Sequence, residues 1–212
     1  MQVINSSAEL ISHQLEGIEI PKQIETLLPI ITSQIKRSKK LVQKVNLLSD
    51  LEESHRPIKS TELCQLLRNS IKFMHHSFPE REINLQIGSL NEKIYVQANE
   101  LLQEVLENLL TNAIKYNNKD TIELEINISE TDKERKNYIK IEFRDNGTGI
   151  KDDKKAFIFK KGFKEHKSGK GMGFGLALVK KIMDNYKGYV WVENRVKGDY
   201  TQGCNFILLI PH

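Results

Sequence analysis

Cysteine is almost missing from this chain: of 212 residues only Cys64 and Cys204 are cysteines, 140 positions apart. Without metal-ligand spacing they exclude a zinc module and a disulfide framework, and they read as reduced thiols of a cytoplasmic protein. Long apolar runs are missing too. None approaches the ~18 residues that cross a bilayer, so no membrane contact is expected of this segment. The N-terminus lacks the basic, apolar, small-residue order of a signal peptide. Charge of one sign is also absent, since 32 Lys+Arg against 28 Asp+Glu leave +4, too balanced to imply nucleic acid. What remains is 39% apolar and 28% charged residues, enough for a core of ordinary size in one or two domains.

The first 55 residues carry a long helical period. Ile24, Leu28, Ile31, Ile35, Val42, Val45 and Leu48, with Ser38 the one polar interruption, recur at steps of three and four, the repeat of a seam buried against partner helices. A shorter helical stretch, Val3–Leu15, precedes it and is closed by Gly17 and Pro21. Pro29 either kinks the second helix or marks its start. Pro57–Ser60 reads as a linker, after which the pattern turns to mixed α and β. Helices are expected over Thr61–His76, Glu100–Tyr116 and Phe174–Tyr186. Strands are expected over Ile83–Ile87, Lys93–Val96, Thr121–Ile128, Tyr138–Arg144, Gly188–Glu193 and Cys204–Ile210. That order predicts an α/β sandwich with one sheet face covered by helices.

Three elements carry chemistry. In Glu107–Tyr116, Asn108 and Asn112 lie one helical turn apart with Lys115 near the same face. Amide oxygens are hard ligands suited to Mg²⁺, and a lysine offers point charge to phosphate; a merely solvated helix face reads equally well. Asp145-Asn146-Gly147-Thr148-Gly149-Ile150 follows a strand. Its Asp can accept from an exocyclic amine, and its glycines let backbone approach a flat ring, although Asp-Asn-Gly is also a common turn. Gly169-Lys170-Gly171-Met172-Gly173-Phe174-Gly175-Leu176 runs into a helix, where exposed N–H groups and the helix dipole favour phosphate. This is neither a dinucleotide fingerprint nor a P-loop, because no βαβ unit surrounds it and no Gly-Lys-Ser/Thr ends it.

Together these elements resemble the nucleotide site of the GHKL ATPases, specifically the ATP-binding domain of sensor histidine kinases. Glu107–Tyr116 resembles the N box, Asp145–Ile150 the first glycine box, Phe157-Ile158-Phe159 the F box, and Gly171–Leu176 the second glycine box. Gly203 resembles the last glycine element, with Cys204-Asn205 where Thr-Thr is usual. The ending Trp191–Val196 with Gly198-Asp199-Tyr200 is most similar to archaeal members.

The resemblance implies ATP and Mg²⁺ as ligands, with Asn112 and Asn108 on the metal and Lys115 near a phosphate. It implies that Tyr116, Ile150 and Phe159 line the pocket, that Asp145 reads the adenine amine, and that Gly147 and Gly149 shape the base site. Lys170, Gly171, Met172, Gly173, Phe174, Gly175 and Leu176 would serve the phosphate side. The lysine-rich stretch Lys151–Lys170 would be a lid balancing triphosphate charge. Glu107 is a candidate for helping proton transfer. The family's hydrolases place a Glu four residues before the Mg²⁺ Asn; here that residue is Asn108, which favours a kinase over an ATPase.

A histidine kinase also needs an acceptor histidine on the first hairpin helix. His13, in Ser12-His13-Gln14-Leu15, is the only candidate, but Glu16-Gly17-Ile18 stands where Arg/Lys-x-Pro is usual. A turn near residues 19–20 would leave about 15 residues of second helix without an antiparallel partner at ~1.5 Å each. The first helix is therefore expected to be cut short, with the acceptor upstream. The fold expected is α+β: a dimerising antiparallel helical hairpin over 1–56, giving a four-helix bundle, then a GHKL (Bergerat) sandwich with a mixed sheet over 57–212. The partners implied are a response regulator receiver domain, a second copy of the chain, and an upstream sensor domain in a longer chain. The alternatives are an ATP-binding dimerisation module that transfers nothing, and a GHKL hydrolase.

Overall fold

The structure is a computed structural model that describes residues 22–53, 56–88, 93–160, 162 and 173–212. The first expected helix, Val3–Leu15, and His13 lie outside them. The chain divides into two compact units between Asp50 and Leu51.

Helix α1, Lys22–Glu53, is continuous through Pro29, so the helix does not start there. Of its apolar row, Ile31, Val42 and Val45 are exposed, as are Leu27 and Ile30.

The second unit begins with a strand that sequence periodicity does not announce. Lys59–Glu62 forms β1 where a linker and a helix start were expected. It pairs antiparallel with β3, Tyr95–Ala98. Helix α2, Leu63–Ser77, follows β1 directly and carries His75 and His76 in its last turn. Then come β2 (Glu82–Ile87) and α3 (Leu101–Lys115), the latter with Leu102, Val105, Leu106 and Leu110 fully buried. Strands β4 (Thr121–Lys133) and β5 (Lys136–Asp145) are longer than expected and meet in the two-residue turn Glu134-Arg135. Both turn residues have positive φ, 54° and 61°, matching the right-handed strand twist without the usual Asn-Gly. A short 3₁₀ turn, Asp152–Lys154, precedes α4 (Gly175–Asn185), β6 (Tyr189–Val196) and β7 (Asp199–Pro211).

The main sheet has the order β2-β4-β5-β7-β6, with β2 parallel to β4 and every other neighbour antiparallel. It is mixed, as expected. Alternation sends Ile122, Leu124 and Ile126 of β4 inward beside Ile139, Ile141 and Phe143 of β5. Phe206 and Leu208 of β7 and Val190 and Val192 of β6 continue the same face. Helix α3 packs between α2 and α4. The opposite sheet face is polar along Glu125, Arg144, Glu142, Lys140 and Asn205, linked by ion pairs of 3.2–4.0 Å and by an Asn205–Glu142 hydrogen bond of 2.9 Å.

Candidate nucleotide site

Strand alternation places Asp145 on the apolar side. Counting inward positions along β5 gives Ile139, Ile141, Phe143 and then Asp145, which is 6% exposed. A carboxylate there is expensive, and burial raises its pKa to about 6. Two backbone donors oppose that shift. Gly147 N–H reaches Asp145 Oδ1 at 2.8 Å and Cys204 N–H reaches it at 3.4 Å. With Oδ1 so held, the carboxylate's orientation is fixed, as recognition of a planar amine requires.

The backbone around Asp145 is packed too closely for side chains. Gly149 has φ +70°, and a Cβ there would fall 1.6 Å from the Tyr200 carbonyl oxygen. Gly203 has φ +109°, and its Cβ would lie 2.0 Å from the Asp145 carbonyl oxygen. The β6–β7 hairpin is thereby pressed against the 145–149 loop, and Arg195 of β6 pairs with Glu123 of β4 at 2.6 Å.

On α3, Asn108 is 6% exposed and its Nδ2 donates to the Glu104 carbonyl at 2.6 Å. That bond engages the amide nitrogen. Asn112 is half-buried one turn later, and Lys115 and Tyr116 are exposed. Glu107 Oε1 accepts from Gln103 Nε2 at 2.8 Å. The end of α3 is tied to the Asp145 loop, because Thr148 N and Oγ1 both donate to the Tyr116 carbonyl, at 3.0 and 3.1 Å.

Ile150 and Phe159 are half-buried, and the Phe159 ring stands edge-on to Phe206 at 6.5 Å. Gly162 N–H donates to the Gly173 carbonyl at 3.0 Å. Gly173, Phe174, Gly175 and Leu176 are half-buried where α4 starts. Lys170, Gly171 and Met172 lie outside the described residues. Lys155 bonds both Asp152 and Asn194, fixing the segment's beginning to β6.

Residues 97–212 match the family model described as histidine kinase-, DNA gyrase B-, and HSP90-like ATPase. The chain belongs to this family. The domain is an ATP-binding domain of the histidine kinase type, similar to "Sensor histidine kinase YvrG" of Bacillus subtilis. That identity is 29%, over 82% of this chain and 30% of the relative. It is 28% identical to "Adaptive-response sensory kinase SasA" of Synechocystis, over 96% of this chain and 52% of the relative. The chain thus spans a third to a half of these relatives' lengths. Among solved structures, the catalytic domain of histidine kinase ThkA superposes with a TM-score of 0.62 at 25% identity, over 74% of this chain and 96% of that one. ThkA in complex with the response regulator TrrA has a TM-score of 0.65 at 23% identity, over 97% of this chain and 57% of that one, and shows the shared fold.

The hydrogen-bond network that joins these segments has members that the sequence motifs do not include. Asn117, fully buried, and the Arg195–Glu123 pair were not anticipated. Asn117 follows Tyr116 in an Asn-Asn run that reads as an ordinary turn. Arg195 and Glu123 are 72 residues apart, so no local pattern connects them.

Proposed function

We propose that this chain is the transmitter portion of a two-component sensor kinase, with a helical hairpin over 1–56 and the catalytic domain over 57–212. It binds Mg²⁺-ATP and presents the γ-phosphoryl to a histidine imidazole, from which a response regulator aspartate receives it. The observation that carries this reading is the buried, doubly held Asp145 joined through Thr148 to the end of the helix bearing Asn108, Asn112 and Lys115.

Asp145 accepts the adenine amine, and the loop glycines leave room for the ring. Lys115 and the first turn of α4 hold the phosphates. Asn108 and Asn112 fit Mg²⁺, their oxygens being hard donors one turn apart, with Asn108's nitrogen already committed to Glu104. The ion, when bound, neutralises phosphate charge. Glu107, oriented by Gln103, helps move the proton of the accepting imidazole. The protein's share is positioning and charge compensation rather than a covalent step of its own. Homodimerisation runs through the hairpin, and the exposed Leu27, Ile30, Ile31, Val42 and Val45 of α1 support it. The acceptor histidine lies upstream of this segment, with the sensor domain of a longer chain.

Incubation with γ-labelled Mg²⁺-ATP tests the proposal, with protein label and free phosphate followed together. The expected result is bound ATP without steady phosphate release, and transfer of label once a chain carrying the upstream helix is supplied. Acid-labile label on His13 would show that the acceptor is already present. Steady phosphate release without protein label would replace the kinase with a hydrolase.

A further inference from the structure

The two arms of the site belong to different elements. Asn112 and Lys115 sit on α3, Asp145 ends β5, and the whole of β4 and β5 separates them along the chain. A nucleotide that engages both arms is sensitive to the span between them.

Buried amides close that span at one junction. Asn117, 0% exposed, is the second residue beyond α3, and Asn146, 3% exposed, follows Asp145. Asn117 Nδ2 donates to Asn146 Oδ1 at 2.6 Å. The same oxygen accepts from Glu123 N at 3.0 Å, and Asn146 Nδ2 donates to the Thr121 carbonyl at 3.3 Å. Asn117 Oδ1 in turn accepts from Lys119 N at 2.9 Å, and Arg81 donates to the Asn117 and Lys119 carbonyls at 3.1 and 3.0 Å. Donors and acceptors at both amides are used in one sense only, so neither a carboxylate nor an apolar side chain reproduces the arrangement.

The junction has no slack. A Cβ on Gly147 would lie 2.8 Å from the Tyr116 carbonyl oxygen and 2.8 Å from Asp145 Oδ1. Because Gly147 N–H holds Asp145 Oδ1 within the same loop, a shift of Asn146 carries the base-reading carboxylate with its loop relative to the end of α3.

We propose that Asn117 and Asn146 are positioning residues that set the distance and angle between the adenine-reading and phosphate-side groups, a role that rests on the ATP-site reading above. Neither touches the nucleotide. Their removal uncouples the two subsites, whereas a purely structural role weakens every ligand alike.

The test compares affinities for adenosine and for Mg²⁺-ATP by calorimetry in the wild type and in Asn117→Ala, below the variant's unfolding temperature. The expected result is a fall of about tenfold in the ATP/adenosine affinity ratio, with adenosine affinity within about twofold of wild type. An unchanged ratio, whether both affinities fall together or neither falls, would overturn the proposal. If Asn117→Ala does not fold, Asn117→Asp decides by the same ratio. It keeps an acceptor for Lys119 N but loses the Nδ2 bond to Asn146 Oδ1, and a fall of about tenfold is again expected, an unchanged ratio again being the refutation. Failure of the wild type to bind either ligand would instead overturn the ATP-site reading itself.

Discussion

Asp145 is held in a place that costs the free protein stability. Its carboxyl is raised from 3.8 to about 6, so between those values the folded state binds a proton that the unfolded chain has released. The group's contribution therefore falls as pH rises through that window, by about 3 kcal/mol at about 1.4 kcal/mol per pKa unit, and the penalty is in full force at pH 7. Asp145→Asn should stabilise the nucleotide-free protein at pH 7 by about 1–3 kcal/mol in urea titration, flatten this pH dependence and lose ATP. ATP affinity of the wild type should likewise weaken below about pH 6, as the acceptor carboxylate becomes protonated. Gly203→Ala should cost more than about 3 kcal/mol or prevent folding, since the added carbon meets backbone that cannot swing away. Asp145 was legible from its motif, and its burial follows from counting alternate positions past Phe143. The mate of Asn146 was not legible, because pairing across 29 residues is decided by the tertiary fold.

Elements with strong periodicity were read almost to the residue, and those without it were not. Helix α3 announces itself through leucines whose side chains are fully buried, so Leu106→Ala should cost about 2–5 kcal/mol in urea denaturation. β1 escaped notice because four residues, Lys59–Glu62, carry no apolar alternation; its reason to be extended is its partner β3. The β4–β5 hairpin was read too short because its turn lacks the usual signal. Glu134 and Arg135 occupy left-handed backbone that Asn-Gly adopts at lower cost. Replacing the two by Asn-Gly should raise stability by about 1 kcal/mol while leaving ATP affinity unchanged, as thermal melts and nucleotide titration would show. On α1, if the proposed homodimer forms through this helix, changing both Val42 and Val45, exposed here, to Glu should shift sedimentation from dimer to monomer. A dimer that persists would place the interface elsewhere.

At the scale of the molecule, an ATP-binding domain of the histidine kinase type follows a long helix that leaves apolar side chains exposed. The domain's fold was legible from element order, and its family from three short motifs that are weak singly and specific together. The proposed phosphoryl acceptor was not legible: the one candidate of the first expected helix, His13, lacks the usual flanking residues and lies outside the described residues. The proposed kinase chemistry requires that the Asp145 loop and the α3 asparagines form one nucleotide site. Calorimetric titration with Mg²⁺-ATP of the wild type, Asp145→Ala and Asn112→Ala, each checked for a wild-type circular dichroism spectrum, measures this directly. Saturable binding by the wild type and its loss in both folded variants is the predicted result; undiminished ATP affinity in both would contradict it.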